Sequence, residues 1–170
     1  MSLCLTAALL SFQAHNGGVP LRDVSASYRR YWQSDRLPRA LQECETLIRI
    51  SEQRELEVSN RIAVDILWVL SIAITETGLN NDLVSSAGAR SSMQTYRRYS
   101  PCGDCDLRLA GIIHASRLLG KHGMCDGAAK YNGGPAASCS GNSPSKKYAH
   151  KVIGIYAELC EALDAECNLC

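Results

Sequence analysis

At 170 residues, 46% apolar and 21% charged, the chain has the size and composition of one globular domain, which argues against a disordered or fibrous protein. Its net charge of +1 gives no bulk electrostatic reason for a nucleic-acid partner. Basic pairs such as Arg29-Arg30, Arg97-Arg98 and Lys146-Lys147 are short enough to read as solvated surface.

Taken in order, the chain opens on Leu3, Leu5, Leu9, Leu10 and Phe12. They compose either a buried first helix, the preferred reading, or the apolar core of a secretory signal that lacks a preceding Lys or Arg. His15 to Pro20 is a loop by composition, and Tyr28, Tyr31 and Trp32 form an aromatic cluster. Ser34-Asp35 with Pro38 starts a helix on which Leu41, Cys44, Leu47 and Ile48 recur at helical spacing. Charged residues follow (Glu52, Arg54, Glu55, Glu57), and Ser59 or Asn60 caps the next helix. That helix runs to about Glu76 and is apolar on nearly every side from Ile66 to Ile74, so it belongs at the centre of the domain. The apolar run Ile62 to Thr75 contains Asp65 and is too short to span a bilayer, so no stable membrane insertion is expected.

Residues 77–105 read mostly as loop, with Met93 to Tyr96 on a brief turn. Asp106 caps a helix of Leu107, Leu109, Ile112, Ile113, Leu118 and Leu119 that ends near Gly120 or Gly123. Gly127 to Asn132 is a short helix stopped by Gly133-Gly134-Pro135. A loop rich in Ser, Gly, Asn and Pro leads to an amphipathic final helix over about 146–163. No segment alternates as a strand does. The expected fold is mainly α: a single compact domain with a loop-lined cleft, residues 1–60 forming a helical extension packed on a core of 61–170.

Glu76 is the chemical anomaly. A carboxylate ends an oily helix, and Gly78, Asn80, Asn81 and Asp82 stop that helix at once. Burial there raises the carboxyl pKa, because it disfavours the charged form. An acid still protonated near neutrality can serve as a general acid. An isolated Glu at a helix end is more often a cap or an ion-pair partner.

Glu76 is not isolated. Thr75-Glu76-Thr77-Gly78-Leu79-Asn80 is similar to the Glu-Ser-x-Phe-Asn segment of the soluble-lytic-transglycosylase family, which belongs with the goose-type lysozymes in the lysozyme-like superfamily. Val84 to Gln94 resembles that family's Val-Ser-Pro-x-Gly-Ala-x-Gly-Leu-Met-Gln. Gly111-Ile112-Ile113-His114 matches its Gly-x-x-Tyr helix. Ala128 to Pro135 resembles Ala-x-x-Tyr-Asn-Ala-Gly-Pro, and Lys147 to Val152 resembles the closing Asn-Tyr-Val-x-Lys-Val. Five motifs in order over residues 65–156 carry the resemblance, and the first 60 residues lie outside it. Ser91-Ser92 replaces a Gly-Leu pair, Gly78-Leu79 a Ser-Phe pair, Ser86 a proline and His114 a tyrosine. These departures spare Glu76, Gln94 and the Tyr131-Asn132 pair, so they bear on rate and substrate fit more than on reaction type.

The resemblance implies a lysozyme-like fold that cleaves the β-1,4 bond between N-acetylmuramic acid and N-acetylglucosamine. Glycoside cleavage normally uses two carboxylates, but Asp82, Asp104, Asp106 and Asp126 match no catalytic position of the family. A single-carboxylate mechanism is implied: Glu76 protonates the glycosidic oxygen, then deprotonates the muramyl C6 hydroxyl, which closes a 1,6-anhydro ring. By matched position, Gln94 and the Met93 backbone line the sugar subsite, and Tyr131 positions the acid or the glycan. Asn132 fixes its loop or contacts an acetamido group, Tyr148 approaches from the last helix, and Ser85 bonds substrate. Core packing is the competing role for Tyr131 and Tyr148, and a helix cap that for Asn132. Without the aromatic at position 79, water can compete for the intermediate, which would give a hydrolytic lysozyme. A glycan-binding domain without activity is the reading from another class, and such a binder has no need of the acid.

The nine cysteines suggest an oxidising compartment, and their odd number leaves at least one outside an intramolecular pair. Cys102 and Cys105 with His122 and Cys125 have zinc-ribbon ligand types. A helix over 106–120, however, would hold its ends about 22 Å apart. A local Cys102–Cys105 bridge, or loop disulfides to Cys139 or the C-terminal cysteines, is therefore preferred, with reduced cysteines as the alternative for a protein held in a cytoplasm before release, and neither metal nor cofactor is expected. The expected partner is the peptidoglycan glycan strand, in the periplasm or cell envelope, or in a host cytoplasm before release if the protein is phage-encoded.

Overall fold

The structure is a computed structural model that describes residues 65–162 and, ahead of them, Arg39, Gln42, Glu43, Thr46, Leu47, Arg49 and Ile50. The first apolar helix, the Tyr28–Trp32 cluster, the helix start at Ser34-Asp35 and the cap at Ser59 or Asn60 lie outside the described residues. The architecture is mainly α. The described elements are α1 (Ile66–Thr77), a short 3-10 turn (Arg97–Tyr99), α2 (Leu107–Gly133) and α3 (Pro144–Ala162), with helical backbone also at the described residues before position 51. Among the described residues the nearest thing to a strand is an isolated bridge between Arg90 and Thr95.

α1 begins where Asp65 accepts the Trp68 backbone N–H through its carboxylate at 3.0 Å. Every residue from Ile66 to Ile74 is buried, as expected of a run apolar on all sides. α3 packs on both α1 and α2. Its Ala149, Val152, Ile153, Ile155, Tyr156 and Leu159 meet α1, Met93 of the intervening loop, Ile112 and Ala115 of α2, and Leu47 of the N-terminal segment in one core. Tyr156 spans that core to donate to Asp65 Oδ2 at 2.9 Å. Burial of Asp65 raises its carboxyl pKa, and the bonds from Trp68 and Tyr156 oppose the rise.

The two helices expected at 107–120 and 127–132 are one element with a break. Gly123 takes φ 72°, ψ 180°, and helical backbone continues on both sides of it. Gly127 lets the two halves approach, since a Cβ there would meet the Leu118 carbonyl at 3.2 Å. A Cys125–Cys139 disulfide ties the second half of α2 to the loop that follows it. The Cys139 N–H donates to Asp126 Oδ1 at 2.7 Å beside that bridge.

Candidate active site

The end of α1 sets the position of Glu76. Gly78 adopts φ 62°, and its N–H closes on the Ile74 carbonyl at 2.9 Å, which stops the helix two residues past the acid. Glu76 is half-buried there. The Tyr148 hydroxyl, from the first turns of α3, donates to Glu76 Oε1 at 2.6 Å. Lys151 follows Tyr148 by three residues on the same helix, so the two share a face. Burial raises the Glu76 pKa above the ordinary value, and the Tyr148 bond and the Lys151 charge hold it down without cancelling the rise. The result is a carboxyl group that keeps its proton more tightly than an exposed glutamate does.

Tyr131, near the end of α2, donates its hydroxyl to the Met93 carbonyl at 2.7 Å. Burial, followed by the charge of Glu76, pushes the Tyr131 phenol pKa up. The same two causes, joined by the bond to Glu76 and the charge of Tyr131, push that of Tyr148 well above the ordinary value. Both phenols therefore stay neutral donors, and Glu76, Tyr131 and Tyr148 lie within electrostatic reach of one another. Tyr131 also packs against the ring of His114, with centroids 5.3 Å apart.

Met93 is fully buried, and it is held there by Gly111. A Cβ on Gly111 would collide with Met93 Cβ and lie 2.8 Å from its Cγ. This close approach of helix to loop fixes the carbonyl that Tyr131 grips. Ser85 and Gln94 instead shape the loop between α1 and the 3-10 turn. The Ser85 hydroxyl accepts the Ala89 N–H at 2.9 Å, closing a small turn. Gln94 sits at φ 47°, and its Nε2 donates to the carbonyls of Leu83 (3.1 Å) and Ser91 (3.2 Å). Asn132 is exposed on the last turn of α2. The structure thus gathers Glu76, Tyr148, Tyr131 and the Met93 carbonyl into one set, holds Ser85 and Gln94 in the adjoining loop, and leaves Asn132 at the surface.

Three side chains of this neighbourhood carried no role in the sequence reading. Lys151 adjusts the acid, and its spacing from Tyr148 was the available signal. Thr77 follows Glu76, and its hydroxyl lies 3.2 Å from the Ser92 carbonyl. Glu43, only 8% exposed, accepts the Ser92 hydroxyl at 2.9 Å on Oε1 and the Asn81 amide at 3.3 Å on Oε2. Asn81 in turn accepts the Ser92 N–H at 3.1 Å. No local pattern in the sequence marks a bond that joins residues 49 positions apart.

Against this network lies a polar pocket of 310 Å³ lined by Arg39, Gln42, Glu43, Thr46, Leu79, Asn81 and Arg108. Glu76 is not among its lining residues; Leu79, three positions later, is. Cys102 pairs with Cys105, and Cys125 with Cys139, so the three thiol ligands of a zinc reading are each in a disulfide. Cys160 is disulfide-bonded as well. Among the described residues no helix is long and apolar enough to cross a membrane.

The sequence matches no protein-family model and no curated protein. The fold does have a counterpart among solved structures: the X-ray structure of an inactive mutant of the lytic transglycosylase Slt from Pseudomonas aeruginosa, in which a glutamate is replaced by glutamine. The TM-score is 0.54 at 16% identity, and the match covers 74% of this chain and 25% of that one. The chain therefore shares a lytic-transglycosylase-like fold, and the match spans a quarter of the larger protein's length.

Proposed function

We propose that this protein cleaves peptidoglycan glycan strands as a lytic transglycosylase, with Glu76 as its one acid and base. The observation that carries the reading is the half-buried Glu76 carboxyl, its pKa raised by burial and its Oε1 held by Tyr148 at 2.6 Å. The fold likeness supports it, since the counterpart is a lytic transglycosylase inactive in its glutamate-to-glutamine form.

Protonated Glu76 donates to the glycosidic oxygen as the bond to muramyl C1 breaks, and N-acetylglucosamine leaves with its 4-hydroxyl. The muramyl acetamido group supports the oxocarbenium-like carbon. The Glu76 carboxylate then takes the proton of the C6 hydroxyl as O6 bonds to C1, which closes the anhydro ring and restores the acid. Asp65 and Glu43 are each bonded to other groups. Asp65 is eleven residues back on α1, about 16 Å along the axis, beyond the roughly 5–9.5 Å of a glycosidase pair. Glu43 has both oxygens engaged by Ser92 and Asn81.

In this reading Tyr148 orients the acid and Met93 orients Tyr131. Ser85, Gln94, Tyr131 and Asn132 face the glycan, and residues 1–60 form an extension on the catalytic core. Work in the cell envelope suits the disulfides, which persist in oxidising compartments.

The test is Glu76→Gln on purified sacculi. Cleavage is expected to fall by roughly a hundred- to ten-thousandfold while sacculus binding is retained. A variant that clears sacculi like the wild type would end the assignment. Mass spectrometry of the wild-type products decides the outcome class: 1,6-anhydromuramyl ends mark a transglycosylase, and reducing ends a hydrolase.

A further inference from the structure

We propose that the Cys102–Cys105 disulfide is a thiol-exchange site: a dithiol reductant attacks Cys102 and opens this bridge while Cys125–Cys139 stays closed. The function proposed above uses neither sulfur, and the inference stands independently of it. Its structural consequence is the local release of residues 97–105, with the helical core kept.

Access to the two sulfurs is unequal. Cys102 is half-buried, and its neighbours Pro101, Gly103 and Asp104 are exposed. Gly103 turns at φ 64°, with no atom within 4 Å of the place a Cβ would take, so the turn between the sulfurs faces open space. Cys105 is only 5% exposed and packs with Leu109, Ala110 and Ile113 of α2. An incoming thiolate therefore meets Cys102 Sγ first, and Cys105 is the leaving group. The reductant's first thiolate bonds to Cys102 Sγ as the S–S bond breaks with its electron pair on Cys105 Sγ. The reductant's second thiol then displaces Cys102 and closes the reductant's own disulfide. The bridge gains two electrons, the dithiol loses two, and its two protons end on Cys102 and Cys105.

The surroundings stabilise the sulfur that leaves. Ser100 Oγ lies 3.6 Å from Cys102 Sγ and 3.7 Å from Cys105 Sγ, so its hydroxyl can turn its proton to a thiolate on either. Cys105 stands just ahead of Asp106, the cap of α2, where the N–H groups of a helix start favour negative charge. The two acids that flank it are each paired with an arginine: Asp104 with Arg97 at 3.1 Å, and Asp106 with Arg108 at 3.4 Å. Once protonated, the Cys105 thiol has the Asp106 carbonyl as an acceptor at 3.4 Å. Cys125–Cys139 sits in the opposite field. Asp126 adjoins Cys125, and its carboxylate accepts the Cys139 N–H at 2.7 Å, which sets a negative charge beside any thiolate formed there. Ser100 also links the Cys102–Cys105 bridge to the 3-10 turn. Its Oγ accepts the Cys102 N–H at 3.4 Å, and its own N–H closes on the Arg97 carbonyl at 3.1 Å. Opening the bridge therefore frees that turn first.

The experiment titrates dithiothreitol into the full-length oxidised wild-type protein, traps free thiols with N-ethylmaleimide and reads each cysteine by peptide mass spectrometry. Cys102 and Cys105 are expected to label at about a tenth of the dithiothreitol that opens Cys125–Cys139, the worth of one hydrogen bond to a charged sulfur. Ser100→Ala should narrow that gap by about threefold. At the first midpoint, hydrogen exchange should rise at residues 97–105 and stay constant in α1 and α3. Single variants read the site of attack. Cys105→Ser leaves Cys102 free and should react with an aromatic disulfide reagent about tenfold faster than Cys102→Ser does. If either variant fails to fold, the wild-type titration still decides. Both bridges opening together, Cys125–Cys139 opening first, an unchanged gap in Ser100→Ala, constant exchange at residues 97–105 or equal rates in the two cysteine variants would each overturn the proposal.

Discussion

The protonation of Glu76 is a contest between burial and two side chains of α3. Burial favours the neutral acid, whereas the Tyr148 bond and the Lys151 charge favour the carboxylate, and burial prevails. In the proposed reaction the first step needs the protonated form, so kcat is expected to fall as pH rises through a pKa above the ordinary 4.5 of a glutamate. Lys151→Met removes an influence that lowers this pKa, so the descending limb should move to higher pH. Tyr148→Phe should move it the same way and also cost about tenfold in kcat, the loss of a hydrogen bond to a charged group. A limb that moves to lower pH in Lys151→Met, measured as a pH–rate profile, would contradict the assignment. At this scale the sequence was partly legible. Glu76 and Tyr148 stand in motifs and do meet. Lys151 lies in the same motif, but its influence depends on how deeply the acid is buried, which no motif records.

The elements that were easiest to read are those whose periodicity is set by burial. α1 is apolar all round and α3 is amphipathic; α3 and the end of α1 lie close to where the pattern puts them, but α1 is capped by Asp65 and so starts later than a cap at Ser59 or Asn60 would put it. The division of α2 depends instead on one backbone angle. A glycine pattern fits either a helix end or a break, and Gly123 is a break. The loop between α1 and the 3-10 turn was legible only as a loop. Its shape comes from contacts across the fold and from three non-glycine residues at positive φ: Leu79 (72°), Ser91 (68°) and Gln94 (47°). Ser91 stands where the related motif has glycine, and it keeps the left-handed backbone that glycine adopts freely. The approach of Gly111 to Met93 is the joint between α2 and this loop. Gly111→Ala is expected to destabilise the protein by about 1–3 kcal/mol through overpacking, read as a lower denaturant midpoint. It should also reduce kcat, because Met93 would carry its carbonyl away from Tyr131. Unchanged stability would show that the loop gives way freely.

For the whole molecule, one core joins Leu47 to all three long helices, and disulfides act at its edges. The cysteine count predicted an oxidised protein, but pairing depends on which loops the fold brings together. Cys125 and Cys139 are 14 residues apart across the turn between α2 and α3. A Cys125→Ser/Cys139→Ser double variant is expected to lose about 3 kcal/mol of stability, the chain-entropy value for a loop of that length. Thermal unfolding of the oxidised wild type and the double variant measures it, and equal midpoints would mean that the bridge closes a loop already constrained in the unfolded chain.

The bond from Glu43 to Ser92 bears on where this protein can be cut. By motif the proposed catalytic unit would start near residue 61, and a fragment beginning there would look complete. It would lack the acceptor for the Ser92 hydroxyl and the Asn81 amide, and it would lack the Leu47 side chain that fills the core. Two polar groups would lose their buried partner beside Thr77, and the loop that follows the acid would lose its anchor. Glu43 and Leu47 therefore act as a keystone: they stand outside the recognisable sequence, and the recognisable part leans on them.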